Sequence, residues 1–463
     1  MRLLALLLAF LLPVPAPLVT ADIDSYLRGY QAANRIPGLA WAVVSRDGVL
    51  RQGAWGTTTQ TPFLIGSVSK PFTATAVLRL AETGRIHLDD PVRAHLPWFR
   101  LADEAAAARI TVRQLLTHTS GLAQWASRTD RFDNSRDGLA RSVRDLSSVR
   151  PEHPPGAAHE YSDANYMVLG AMVEQVTGQP FSTYLHRAVL DPLGMRRVVT
   201  TPAEASALPP GHRYWFGHPR PFDAGYDTSG LPYGYLGADL ESMTRFASAM
   251  LTDCPGCTGW ADIGGGSRYG FGWRESRVDG VRAVWHAGAT PGFFAHVVLA
   301  PEAGIGVVLL ADVYSPLRDP ALAAAAFDVL RLIRGGAPQP VGGAALLDAT
   351  PYALAVVVVL LGVLLLRSRR KRRTATTVCW ALTGLALAGA AAALPPVLGG
   401  DLGQALLWTP DLGWPISAVI TLGGLVALVH LGGLARIRLR GVRDARSSGD
   451  ARRRPGVEPS LRP

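Results

Sequence analysis

Lysine is almost missing from this chain: of 46 basic residues only Lys70 and Lys371 are lysines, and the rest are arginines. Arginine keeps its charge at any ordinary pH, so the chain has very few amines that can lose a proton and act as a base. Cysteine is scarce too, with three in 463 residues. Cys254 and Cys257 cannot complete a four-ligand structural zinc site, and the histidines show no ligand spacing, so neither metal nor cofactor is expected. No thioredoxin-like strand and helix flank Cys254-Pro-Gly-Cys257, which argues for a small local disulfide outside the cytosol. A basic stripe interleaved with aromatics is also lacking, and this sets nucleic acid aside as a partner. The net charge of +10 belongs to the end of the chain: residues 367–463 hold 15 Arg or Lys against 5 Asp or Glu, whereas residues 1–366 hold 31 of each sign.

The ends carry targeting signals. Arg2, the apolar run Leu3 to Leu12, a stretch with Pro13, Pro15 and Pro17, and Val19-Thr20-Ala21 read as a signal peptide over residues 1–21. Its apolar run is too short to cross a bilayer. Three later stretches, residues 349–366, 374–398 and 413–435, are long and apolar enough to span, at ~1.5 Å per residue against a hydrocarbon core of ~30 Å. Arg367 to Arg373 form a basic cluster between the first two, Asp401 and Asp411 lie between the second and third, and a basic tail fills 436–463. Positive charge stays on the cytoplasmic side, so this pattern expects the main domain outside and the tail inside, and a signal peptide demands the same orientation. His430 is the one ionisable side chain within a span. Such scarcity argues for anchoring in the lipid bilayer over transport.

Residues 22–335 are expected to form one extracytoplasmic domain, joined to the spans by a loose linker over 336–348. Ile23 to Asn34 reads as an amphipathic helix, and Gly38 to Ser45 with Gly48 to Ala54 as a hairpin around Arg46-Asp47. A helix from about Val68 to Thr83 is stopped by Gly84. The middle, about 86–260, mixes short helices with Pro/Gly-rich loops. Strands return at Val281 to Trp285, Phe293 to Leu299 and Ile305 to Ala311, and a helix over Ala321 to Ile333 closes the unit. Strands at both ends with helices between predict an α+β fold: an antiparallel sheet built from both termini, flanked by helices, with a mostly helical insertion, followed by three transmembrane helices.

Three short motifs carry chemistry. Ser67 and Lys70, at i and i+3 where a helix starts, put hydroxyl and amine on one face, the layout of an activated serine nucleophile. A free lysine is almost wholly charged at pH 7, so burial and a neighbour must make this one a base. Tyr161, ahead of the apolar helix Met167 to Val176, is a candidate for that neighbour, because a phenol beside an ammonium can act in proton transfer. His286, Gly288 and Ala289 follow a strand, and Gly288 permits close backbone approach, with the next N–H free to point at an oxyanion.

Ser-x-x-Lys, then Tyr-x-Asn or a near variant, then Lys/His-x-Gly, in that order, resemble the serine β-lactamase and penicillin-binding-protein superfamily. The likeness is to the branch of class C β-lactamases, D-alanyl-D-alanine carboxypeptidases, D-amino-acid amidases and related esterases. Phe63 to Ser67, Leu88 to Pro91, Ile110 to Gly121, Asp191 to Met195, Tyr269 to Trp273 and His286 to Ala311 look like that branch as well. The resemblance covers about 25–335 and stops short of the apolar helices. It implies that Ser67 is acylated, Lys70 is its partner in proton transfer, and Tyr161 is the general base and later the acid toward the leaving group. It implies further that His286 orients Tyr161 and the substrate, and that the backbone N–H groups of Ser67 and Ala289 form an oxyanion hole. In this resemblance His118 and Thr119 are packing and turn residues.

Two positions depart from the pattern. Asp163 stands where the family often has Asn, and an ionised carboxylate cannot donate to a substrate amide. His286 stands where β-lactamases have Lys, and a mostly neutral imidazole holds a substrate carboxylate less firmly. The expected function is therefore a membrane-anchored serine hydrolase acting through an acyl-enzyme on small peptide, amide or ester substrates. A D-alanyl-D-alanine carboxypeptidase working on peptidoglycan stem peptides fits that description. β-Lactamase and esterase are the alternatives within the family, and a β-lactam or peptidoglycan-fragment sensor is the non-enzymatic one.

Overall fold

Strand β1 (Leu39–Ser45) is buried along nearly its whole length, whereas β2 (Gly48–Trp55) is mostly half-exposed. That contrast marks a central strand lying beside an edge strand. In the computed structural model, which describes residues 20–124, 129–223, 225–340, 344–368, 374–397 and 400–451, the pair forms the expected hairpin. The signal peptide, except its last two residues, the core of the Arg367 to Arg373 cluster and the tail beyond residue 451 lie outside the described residues.

The rest of the sheet comes from the other end of the domain: β3 (Ala261–Gly264), β4 (Ser267–Tyr269), β5 (Arg274–Val278), β6 (Val281–Thr290), β7 (Phe293–Ala300) and β8 (Ile305–Ala311). The eight strands lie in the order β2-β1-β8-β7-β6-β5-β4-β3. β1 and β8 pair antiparallel from Leu39↔Ala311 to Ser45↔Ile305, which closes the two chain ends into one sheet. β6 runs five residues past the expected end at Trp285, because pairing with β7 continues through Gly288↔Ala295 and Ala289↔Phe294. The turn falls instead at Pro291-Gly292, so His286, Gly288 and Ala289 sit on a strand.

β7 and β8 are buried on both faces. Helices α1 (Thr20–Ala33) and α5 (Asp319–Ile333) pack together, and α5 lies against β7 and β8. The Tyr26 hydroxyl donates to Asp328 at 2.7 Å to tie the two helices. α4 (Leu240–Thr252) packs against β1, β7 and β8. The insertion supplies α2 (Ser69–Glu82) and α3 (Asp163–Thr177), both buried well beyond one face. Gly84 ends the α2 segment in the left-handed region, at φ +68°. The middle also holds short strands that the sequence did not announce, among them 63–64, 198–199 and 237–238 in one small sheet. Cys254 and Cys257 are joined by a disulfide.

Residues 348–463 form a second compact unit. It takes in all but the first turn of α6 (Ala344–Arg367), together with α7 (Thr374–Val397), α8 (Leu402–Trp408) and α9 (Pro410–Ala451). Residues 349–367, 376–397 and 410–435 are long and apolar enough to cross a membrane, which suggests membrane association. α7 and α9 meet backbone to backbone, because a Cβ on Gly384 would stand 2.6 Å from the Gly423 carbonyl oxygen. The segment read as a plain loop between the second and third spans holds α8, opened by an Asp401–Gln404 capping box. α9 also continues past the expected span into the basic region.

α2 is held to α4 by a ring stack, Phe72 on Phe246, with centroids 3.8 Å apart and both side chains fully buried. Phe246→Ala is expected to lower stability by about 3–5 kcal/mol. Urea unfolding of the full chain in detergent micelles, followed by tryptophan fluorescence, measures the loss.

Candidate active site

Ser67 lies on a single 3-10 turn, Gly66–Val68, that leads into α2. It remains partly exposed between buried neighbours. Two glycines make this turn possible. Gly66 has φ +54°, and a Cβ there would stand 2.1 Å from the Ala289 nitrogen. A Cβ on Gly288 would stand 2.1 Å from the Ile65 oxygen and 2.6 Å from the Ser67 nitrogen. The turn and β6 are therefore pressed backbone to backbone, with the amides of Ser67 and Ala289 beside each other at the same contact.

One turn along α2, Lys70 has no exposed surface. Its Nζ donates to Ser67 Oγ at 2.8 Å and to the Tyr233 carbonyl at 2.9 Å, and stands 2.6 Å from Asp163 Oδ1. Nζ thus has two hydrogen-bond acceptors and one carboxylate as its ion partner. The sequence placed Asp163 with the substrate and oxyanion groups; the structure turns it onto Lys70, leaving Oδ2 with a 3.3 Å bond from Gln124 Nε2. Asp163 opens α3, where the positive end of the helix favours a carboxylate.

The Tyr161 ring centroid lies 4.9 Å from Lys70 Nζ, and the Ser67 side chain is among the polar groups that act on its phenol. Burial, and next the charge of Asp163, push the Tyr161 phenol well above its ordinary range. At rest it is a protonated phenol. The expected base thus holds a proton to give.

His286 does not reach toward Tyr161 with a ring nitrogen; their rings are 6.3 Å apart. Its Nδ1 lies 2.6 Å from the Ala287 carbonyl, which only accepts, so Nδ1 carries the proton. Its Nε2 is 3.2 Å from the Tyr269 hydroxyl, and that hydroxyl is 3.2 Å from His118 Nε2. At the far end, the Ser162 N–H donates to His118 Nδ1 at 3.1 Å. Ser120 Oγ donates to Asn165 Oδ1, which turns the Asn165 amide nitrogen toward the same Nδ1 at 2.9 Å. Both ends fix one direction: His118 Nε2–H donates to Tyr269, and Tyr269 O–H donates to His286 Nε2. The two imidazoles are neutral and of opposite tautomers. Burial, then the charge of Lys70, drives both well below the ordinary histidine range. His118 sustains this role at φ +56°, a backbone region that a non-glycine residue occupies only under constraint.

The motifs missed several of these groups. His118 was read as packing, Tyr269 entered only as part of a resemblance, and Arg274 was not noticed. The Arg274 guanidinium lies 5.3 Å from the Tyr161 ring and 5.6 Å from the Tyr269 ring, with no ion pair within 4 Å among the described residues. Its signal was the register of β5 on β6, Arg274↔Trp285, which puts it next to His286. A metal would find Glu152, His153 and Glu160 among the described residues, an outward-facing trio that shares no residue with the Ser67 group.

Tyr269→Phe removes the central link of the chain. We expect ¹⁵N-histidine spectra of the full-length protein to show His118 as an Nε2–H and His286 as an Nδ1–H imidazole, and the His286 signal to shift in the variant. Buried neutral histidines also set an acid limit. Their folded pKa values lie below that of the unfolded chain, so the unfolded chain binds more protons once the pH drops below ~6.5. His296, held at about 3, and His159, at about 4, add to the effect. Urea midpoints are expected to be level above pH 7 and to fall steadily from pH 6.5 toward 4.

A family model described as Beta-lactamase matches residues 23–331. Penicillin-binding protein 4 of Amycolatopsis lactamdurans is 32% identical over 315 residues, covering 60% of this chain and 81% of that protein. Esterase EstB of Burkholderia gladioli is 35% identical over 320 residues, covering 62% of this chain and 76% of the esterase. Protein flp of Staphylococcus aureus is 24% identical over 318 residues, and the chain spans only 63% of its length. Among solved structures, the octameric penicillin-binding protein homologue from Pyrococcus abyssi shares the fold, with TM-score 0.59 at 22% identity over 69% of this chain and 78% of that one. The α+β architecture, the ordered motifs and the matched span agree: this chain belongs to the Beta-lactamase family of serine hydrolases.

Proposed function

We propose that the chain is a membrane-tethered, extracytoplasmic hydrolase that cleaves amide or ester bonds through an acyl-enzyme on Ser67. The observation that carries the reading is the 2.8 Å bond between the buried Lys70 ammonium and Ser67 Oγ, beside paired amides of Ser67 and Ala289. In this reading Oγ attacks the substrate carbonyl, and the two amides take up the charge on its oxygen. Removing such a donor costs about 3 kcal/mol in the transition state. The Tyr161 phenol, on which the Ser67 side chain acts, gives its proton to the leaving amine or alkoxide. Water then attacks the acyl carbonyl and returns a proton to Tyr161.

Arg274 favours substrates bearing a carboxylate. His286 spends both ring nitrogens on Tyr269 and Ala287, so it has no donor left for such a group. The guanidinium over Tyr161 is the cation on that side of the cleft, and its planar fork suits a carboxylate. This supports a carboxypeptidase acting on peptides of the stem-peptide kind. Ester turnover is the second reading, favoured by the 35% identity to Esterase EstB. The signal peptide, the Arg cluster after the first apolar helix and the basic tail support an outward-facing catalytic domain and an inward-facing tail.

Ser67→Ala is expected to abolish turnover of both a D-alanyl-D-alanine peptide and a p-nitrophenyl ester. Retention of either activity in that variant contradicts the reading. Arg274→Gln is expected to raise KM for the peptide about 10-fold or more while leaving KM for the uncharged ester nearly unchanged, as steady-state kinetics would show.

A further inference from the structure

We propose that Asp163 is the terminal acceptor of a proton relayed from Ser67 through Lys70, so that Lys70 rests as an ammonium and is a free amine only while the proton passes. The inference rests on the reading of Ser67 as nucleophile and adds a catalytic partner to it. Its basis is a run of two close contacts: Ser67 Oγ to Lys70 Nζ at 2.8 Å, and the ion pair of Lys70 Nζ with Asp163 Oδ1 at 2.6 Å. A charged carboxylate in such a buried place needs a partner charge, and Lys70 supplies it. Tyr161, the alternative acceptor, already holds its proton.

The step balances. One proton of the Lys70 ammonium first passes to Asp163 Oδ1, which leaves Nζ with a lone pair. As Oγ bonds to the substrate carbon, the Oγ–H bond breaks and its proton joins Nζ. Lys70 is neutral only between the two transfers and ends at +1. The negative charge of Asp163 is lost as one appears on the substrate oxygen between the Ser67 and Ala289 amides, so the site's net charge does not change. In deacylation the same run of atoms carries the proton back to Oγ. Asparagine at this position cannot accept the proton, whereas aspartate cannot donate to a substrate amide. Position 163 thus exchanges a substrate contact for a place on the proton path.

Groups facing the pair from the surrounding elements are Tyr161 and Tyr166 beside α3, Tyr233, Arg274 on β5, and the neutral His118 and His286. Neither imidazole titrates in its usual range, and the three tyrosines are held protonated by burial. The pH response of acylation between about 6 and 9 is therefore left to the pair itself.

The test is the rate constant for acylation of the full-length protein in detergent micelles by a fluorophosphonate, read by intact mass from pH 6 to 10. Wild type is expected to be level across neutral pH. Asp163→Asn is expected to be about 100-fold slower at pH 7 and to recover steeply toward pH 10, where Lys70 must shed a proton before it can accept one. Asp163→Ser, which keeps a residue suited to a helix start, carries the same expectation if the asparagine variant does not fold. Wild-type rates at pH 7 in either variant would overturn the proposal. So would a loss of the same factor at every pH, since that marks a structural role only. Absence of labelling in wild type would instead sink the Ser67 reading, and this proposal with it; labelling of wild type but not of Ser67→Ala keeps the two questions separate.

Discussion

A fully buried ammonium must be answered by acceptors, and the site is organised around that requirement at Lys70. Ser67, Asp163 and the Tyr233 carbonyl come from three separate parts of the chain to supply two hydrogen-bond acceptors and a counter-charge. Removing one of them would leave a buried donor unmatched, at a cost of about 1–3 kcal/mol or more because the group is charged. The rigid surroundings follow from this. α2 is buried nearly all round, its Phe72 is stacked on α4, and Gly272 in the turn before β5 lies so close that a Cβ there would stand 2.9 Å from Pro71 Cα.

The backbone contact at Gly66 and Gly288 links the same helix to the sheet. It joins the insertion to a strand laid down by the end of the domain, so the sheet assembled from both termini is what places Ser67 against the backbone of Gly288 and Ala289. The hydrogen-bond chain from His118 to His286 runs behind that contact and spends every available ring nitrogen of both histidines. In the proposed reading charge recognition falls to Arg274, and proton handling to Lys70, Asp163 and Tyr161, so that each of these groups has a separate task. The apolar helices of the second unit suggest membrane association.

Much of this was legible in the sequence where the signal was local. The hairpin at 39–55, the strands near 293–311 and the helix ending at Gly84 follow from short apolar runs around turn residues and from a glycine stop. The Ser67–Lys70 spacing was equally plain. What could not be read depends on partners distant in the chain. β6 extends through Ala289 because β7 pairs with it, and no local pattern separates that from a glycine-rich turn. His118 is set by Asn165 and Ser162, over forty residues away, and Arg274 by its register against Trp285. Asp163 was noticed as a departure, yet only the fold shows that one of its carboxylate oxygens lies against a lysine.

The central claim is that Ser67 is the one hydroxyl this architecture makes nucleophilic. Peptide mapping of the full-length protein after reaction with a fluorophosphonate tests it most directly. The account predicts a single adduct on the segment carrying Ser67, lost when the protein is acid-unfolded beforehand. An adduct on any other serine, or equal labelling of the unfolded chain, would contradict it.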